Sequence, residues 1–254
     1  MSTRMSKSAA AVVGVVAAGW LPLATAQAAT TAVRVCPLPT FGPGPSYDPR
    51  IERASFTPNV TNALFPLKVG RTLVYTGVKD GKVALNIATT TSKTRIVDGV
   101  RTRVLEDRLY LDNVLEERTS DYYSQDRCGN VWYFGEDTAK LDPRGHVVST
   151  EGSFHAGVNG AKAGVFMQAR PQLGRQFRQE WFRGHAEDVF KVIGLDATVR
   201  VPLGSFRHVL RTSERTDLEP AVLDNKYYVR GIGEVAELSV RGPAERLRLV
   251  AIIG

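Results

Sequence analysis

Two short clusters hold the residues with the widest chemical reach. Glu136-Asp137-Thr138 sets two carboxylates and a hydroxyl side by side directly after Gly135. Carboxylate oxygens suit a hard cation, which takes about six to eight of them. The same residues also read as a turn in which Asp137 bonds its own backbone. Gly184-His185-Ala186-Glu187-Asp188 is the second cluster. On a strand, His185 and Glu187 share a face, and imidazole with carboxylate makes an acid–base pair or part of a metal site. As a turn, the segment leaves His185 exposed and idle. His155 and Asp137 are the candidates to complete such a site. Glu136, Asp137, Glu187 and Asp188 with His185 carry one functional reading, a hydrolase or lyase on an envelope or extracellular polymer. A metal-binding or protein-interaction module is another.

The remaining polar candidates are weaker. His146 and His208 stand among strand-like apolar residues and read as surface or satisfied core groups. Ser153 and Ser205 lack the G-x-S-x-G setting of a nucleophile elbow. The chain carries no phosphate loop, dinucleotide fingerprint or zinc-protease helix motif, so no cofactor and no defined metal site is expected. Aromatic rings come in adjacent groups: Tyr122-Tyr123, Trp132-Tyr133-Phe134 and Tyr227-Tyr228. Side-chain alternation sends neighbouring rings to opposite faces of a strand. Trp132, Phe134, Tyr122 and Tyr227 are the candidates to line a ligand cleft.

The elements that position these residues are strands. Leu73 to Thr76 is rich in β-formers, and Lys79-Asp80-Gly81-Lys82 is a hairpin turn in which Asp-Gly supplies positive φ. Val83 to Val97 alternates, Asp98-Gly99 turns, Val100 to Tyr110 follows, and Asp112-Asn113 leads into Val114 to Gln125. Cys128-Gly129-Asn130 turns into Val131 to Phe134, which Gly135 is expected to end. His146 to Thr150 is a further strand. Gly152 to Gly174 reads as a long Gly-rich loop, a candidate lid. Strands resume at Gln176–Phe182, Glu187–Val192, Ala197–Val201, Phe206–Thr212, Val222–Val229, Gly233–Val240 and Glu245–Ile253. About a dozen strands with Gly turns and no amphipathic helix indicate an all-β fold. The expectation is one antiparallel, strongly curved sheet or half-barrel.

Three regions follow: 1–28, 29–58 and 59–254. Arg4 and Lys7, the apolar run Ala9 to Ala18, Pro22 and Ala26-Gln27-Ala28 have the form of a cleavable secretory signal. Residues 29–58 form a Pro/Gly-rich arm, since Cys36-Pro37-Leu38-Pro39 and Phe41-Gly42-Pro43-Gly44-Pro45 suit neither helix nor central strand. The rest is the β domain. The chain's only cysteines, Cys36 and Cys128, make one disulfide in an exported chain, which would tie the arm to the β domain. No segment has the length to span a bilayer as a helix. The formal charge of +7 includes Arg4 and Lys7, and acids are interleaved with the bases. No nucleic-acid-binding motif is present. The Asn59-Val60-Thr61 sequon is not expected to be used behind a bacterial signal.

Three stretches carry a family resemblance. Phe65-Pro66-Leu67-Lys68-Val69-Gly70-Arg71-Thr72-Leu73-Val74-Tyr75 resembles the "FPL-x-x-G-x-T-W-x-Y" opening of exported bacterial β proteins, with Leu73 in place of Trp. Tyr122-Tyr123-Ser124-Gln125-Asp126 with Gly129 to Thr138 resembles the "YAQD…GNVWYFGEDT" signature of an uncharacterised family of secreted bacterial proteins. Val201 to Phe206 with Lys226 to Gly233 resembles the ending of that group. The strand pattern is similar to lipoprotein-carrier half-barrels. That likeness implies a curved sheet around an apolar cavity and a lipid-like or small-molecule ligand. Cys36 follows Arg34-Val35 and has no lipobox before it, so the protein is expected free of a lipid anchor. The leading reading is an exported, soluble β protein that binds an apolar or amphipathic ligand.

Overall fold

The computed structural model describes residues 36–254, and the signal-like segment 1–28 with residues 29–35 of the arm lies outside them. Two short 3-10 turns, Gly44–Ser46 and Arg53–Ser55, precede the strands. Strand β1 (Phe56–Thr57) is followed by β2 (Thr72–Lys79), β3 (Lys82–Val97), β4 (Val100–Leu111), β5 (Val114–Asp126) and β6 (Val131–Leu141). Then come β7 (Val147–Ser149), β8 (Phe154–His155), β9 (Lys162–Met167), β10 (Gln176–Arg178) and β11 (Glu180–Trp181). The last five are β12 (Asp188–Val201), β13 (Gly204–Thr216), β14 (Leu223–Val229), β15 (Gly233–Arg241) and β16 (Glu245–Ile253).

All strand pairs are antiparallel, as an all-β chain of tight hairpins requires. Asp80-Gly81, Asp98-Gly99 and Asp112-Asn113 all take positive φ at both residues, the backbone of the primed two-residue turn whose twist matches the strands it joins. Pairing runs β10-β12-β13-β14-β15-β16-β2-β3-β4-β5-β6-β9-β11. The two ends of this path, β10 and β11, are separated in the chain by Gln179 alone. The sheet therefore curls round until its edges meet, a nearly closed barrel with a seam at Gln179. The β2–β16 pairing, with Thr72 opposite Ile253, joins the first long strand to the last.

Three expectations are corrected. Gly135 does not end its strand. β6 runs on to Leu141, and the pairing shifts there, Tyr122 facing Gly135 and Tyr123 facing Tyr133. That extra residue is a bulge, and Gly135 occupies it with φ 152° because a Cβ there would lie 2.4 Å from the Phe154 carbonyl. The stretch Gly152 to Gly174 is not a lid, since it contains β8 and β9, and Val165 and Met167 of β9 are core residues. Gly164, which looked like loop composition, is there because a Cβ would meet the Gln179 backbone at 2.3 Å. Glu187–Val192 and Ala197–Val201 are not separate strands. They are one strand, β12, whose register slips at Gly194 and Ala197.

The described part of the arm packs on the barrel. Cys36 is bonded to Cys128. Tyr47 donates to the Ala163 carbonyl at 3.0 Å, and Phe56 meets the Trp132 and Phe134 rings edge-on at 5.8 and 5.2 Å. Residues 60–71 then cross one end of the barrel. Asn62 donates to the carbonyls of Gly129 and Gln168, the Gly231 amide donates to Ala63, and the Arg71 guanidinium binds the carbonyls of Pro66, Gly231 and Ile232.

Candidate functional site

The barrel encloses a cavity of about 460 Å³. Alternation decides which residues reach it. On β2 they are Leu73, Tyr75 and Lys79, on β4 Leu105 and Asp107, and on β5 Glu117, Thr119, Asp121 and Tyr123. The bulge at Gly135 resets the alternation on β6, so Tyr133 and Glu136 both face in, although they stand three residues apart. Glu180 and Gln179 enter at the seam, Asp188 from β12, Glu214 from β13, Lys226 from β14, and Glu234 and Glu237 from β15.

The wall has two characters. The segment that crosses the barrel end contributes Phe65, Pro66 and Leu67. Phe65 packs on Tyr123 at 5.0 Å and on Phe166 at 4.6 Å, and Tyr123 stacks on Tyr133 at 4.7 Å. With Leu73, Leu105 and Leu247 these rings make an apolar and aromatic wall. The remainder is acidic, with nine carboxylates against three cations, Arg71, Lys79 and Lys226. Two of the cations are already engaged elsewhere. Arg71 is held by backbone carbonyls, and Lys79 by Glu245 at 2.7 Å. Lys226 lies 3.4 Å from Glu214 and 3.5 Å from Glu237. Among the described residues, Asp107, Glu117, Asp121, Glu136, Glu180, Asp188 and Glu234 form no ion pair.

Enclosure and mutual repulsion act on these groups together. Burial pushes Asp107 and Asp121 up to about 7, and the Asp121 charge adds to the shift at Asp107. Asp188 is open to the water of the chamber, yet the desolvating walls around it raise it to about 6. Glu136 and Glu180 stand well above the usual carboxylate range through burial first, and then through Asp121 and Asp188 beside Glu136 and through Asp188, Glu136 and Asp121 beside Glu180. Glu234 is raised by burial, which outweighs the attraction of Lys226. Hydrogen bonds hold some of the set in place. Tyr133 donates to Asp121 at 2.6 Å and Asn86 to Asp107 at 2.8 Å.

The residues singled out from sequence are distributed differently from the expectation. Glu136 and Asp188 line the cavity. Asp137 faces outward, where Tyr122 and Arg95 both donate to its Oδ2 at 2.5 Å and His155 Nε2 lies 2.9 Å from its Oδ1. Asp137 and His155 do come together, but without His185 or Glu187. Those two sit in a turn, His185 beside Glu151 at 3.1 Å and Glu187 accepting from the Gly184 amide at 2.8 Å. Of the aromatic candidates, Trp132 and Phe134 are buried beneath the arm, and Trp132 donates to Asp126 at 3.1 Å. Tyr122 binds Asp137 on the outside, and Tyr227 packs against the apolar cluster that includes Val199, Val209, Val235 and Leu249. The cavity takes the other ring of two groups, Tyr123 and Tyr133. A wholly apolar cavity is likewise corrected, because nine carboxylates line it.

One group of three metal-ligand side chains falls within 4.8 Å among the described residues, Cys36, Asp126 and Cys128. Its two sulfurs are bonded to each other, which removes the thiolates a metal would need. Of the cavity acids that sequence reasoning passed over, Asp107 and Asp121 carry a detectable signal, an alternate position on a strand that also places Leu105 or Tyr123 in the cavity. Glu180 stands at the seam, and Glu234 lies on β15, which adds only Gly233 and Glu237 beside it.

No family model matches the chain, and no curated protein does. Two solved structures are similar in fold. One, from Bacteroides fragilis, is described as an exported protein with a YmcC-like fold. It is 13% identical with a TM-score of 0.44, over 76% of this chain and 100% of that one. The other, from Parabacteroides distasonis, is described as a lipoprotein. It is 8% identical with a TM-score of 0.42, over 76% of this chain and 99% of that one. Among the described residues no helix is long and apolar enough to cross a membrane.

Proposed function

We propose that the chain is an exported β protein that holds a small amphipathic molecule inside its barrel. The observation that carries this reading is the two-sided cavity. A volume of about 460 Å³ falls within the roughly 300–1,000 Å³ of small-molecule sites, and such sites combine apolar walls with a few convergent polar groups. The Phe65–Phe166–Tyr123 wall takes the apolar part and the carboxylates take the polar part. Export is supported by the signal-like segment 1–28 and by the Cys36–Cys128 bond, since structural disulfides persist in oxidising compartments.

The test uses N-phenyl-1-naphthylamine, an uncharged probe that brightens in apolar surroundings. Its emission is expected to rise on mixing with the protein and to lose most of that rise in Phe166→Asp, which places a charge on the apolar wall. Asp137→Asn, on the outer face, is expected to behave like the parent. No rise with the parent protein, or an equal rise with Phe166→Asp, would overturn the reading.

A further inference from the structure

We infer that the acidic wall of the cavity recognises an organic polycation, a chain carrying two or more separated ammonium groups such as a linear diamine or polyamine. This rests on the binding reading above and names the chemical class of the ligand.

Among the described cavity acids that form no ion pair, Glu180 is the most buried. Glu180 is 5% exposed and lines the cavity. Its carboxyl accepts a hydrogen bond from the Asp188 backbone amide, but no cation of the described chain reaches it, and the charged groups around it are Asp188, Glu136 and Asp121, all acids. An enclosed carboxylate without a counter-charge is unfavourable and is retained where something neutralises it. The protein's own cations do not do so, because Arg71, Lys79 and Lys226 are each committed to other acceptors. In the empty chamber protons supply that positive charge, and a cation entering from outside can take their place.

Geometry then separates two kinds of cation. A calcium-like ion needs several oxygens converging at about 2.3–2.6 Å. No three of the cavity carboxylates lie within 4.8 Å of one another among the described residues. The acids are spread over β4, β5, β6, β12, β15 and the seam instead. A spread of single carboxylates matches ammonium groups spaced along a chain, each donating charge-assisted hydrogen bonds to one or two oxygens. The methylene spacers of such a chain would lie against Phe65, Phe166 and Leu105, which accounts for the apolar wall in an otherwise acidic chamber.

The experiment is calorimetric titration of the protein with 1,10-diaminodecane, spermine and calcium chloride, beside the N-phenyl-1-naphthylamine assay. One-to-one binding of the diamine or spermine is expected, weakening as salt rises. Glu180→Gln and Glu136→Gln are each expected to lower the affinity roughly tenfold, the loss of one charge-assisted hydrogen bond. Should one of these variants fail to fold, the other and the salt dependence still decide. Naphthylamine binding without amine binding would overturn this inference and leave the amphipathic site standing. Calcium binding in preference to both amines would overturn it in favour of a metal. Amine affinity equal in the parent and both variants would also overturn it, by placing the amines outside the cavity. Failure of every probe would overturn both readings.

Discussion

At the scale of single residues, the chain uses its acids in two opposite ways. Asp137 is an outward carboxylate. Burial raises it, but the Tyr122 hydrogen bond and the Arg95 and His155 contacts outweigh that and hold it below the usual range. It is half-exposed, so the cluster contributes modestly, and Asp137→Asn is expected to destabilise by about 1 kcal/mol. The Tyr122 phenol, pushed up to about 12 by burial and then by Asp137, is expected to titrate lower in that variant, which ultraviolet absorption against pH would read. Glu180 is the inward case. Glu180→Gln removes a carboxyl whose ionisation burial opposes and is expected to raise the melting temperature of the empty protein at pH 8 by a few degrees, roughly 2–4 °C per kcal/mol gained. A stabilising change at a binding position is the usual sign of a site kept for function. A lower melting temperature would mean that the carboxylate is structural. These inward acids were illegible in the sequence for a physical reason. Alternation reveals two faces but not which is enclosed, and on β5 the pattern Asp121-Tyr122-Tyr123 is satisfied either way.

At the scale of elements, turns were the most legible features and bulges the least. Asp-Gly and Asp-Asn pairs act through local φ preferences, so residues 80–81, 98–99 and 112–113 could be placed without knowing their partners. Gly135 and Gly164 answer to backbone atoms that arrive from elsewhere in the chain, Phe154 and Gln179, and no local pattern announces those. Gly135→Ala is expected to cost about 2–4 kcal/mol, since it combines an unfavourable φ with a backbone clash, and to turn Glu136 away from the cavity. A calorimetric melt with a diamine titration would show both. A neutral result would mean that the bulge does not set the inward direction of Glu136. The arm is held by the Cys36–Cys128 bond, which spans 92 residues. Closing a loop of that length restricts the unfolded chain by about 4–5 kcal/mol on the chain-entropy account. Reduction is expected to lower stability by up to that amount and to open residues 37–58 to protease. Unchanged melting after reduction would place the arm's attachment in Tyr47 and Phe56 instead.

At the scale of the whole molecule, fold class, antiparallel pairing and the disulfide could all be read in advance, whereas closure of the sheet could not. Whether a curved sheet stops at half a barrel or meets itself depends on strand tilt and register, which are collective. The enclosed acids give the empty barrel a distinctive pH response. Between about pH 4 and pH 7 the unfolded chain has released protons that Asp107, Asp121 and Asp188 still hold when folded. The folded state binds more protons there, so its stability falls as pH rises through that window. The melting temperature of the ligand-free protein is therefore expected to be higher at pH 5 than at pH 8, and a ligand that supplies positive charge should narrow the gap. Equal values would mean that the chamber acids are hydrated and titrate normally.

The pairing of β2 with β16 sets an order on assembly. A chain made or threaded from its N-terminus presents β2 long before Glu245–Ile253 emerges. Throughout that interval β2 is a bare sheet edge, open to pairing with any other extended chain. The final strand thus works as a latch, and a chain truncated before Glu245 is expected to aggregate through β2 rather than to persist as a slightly smaller barrel.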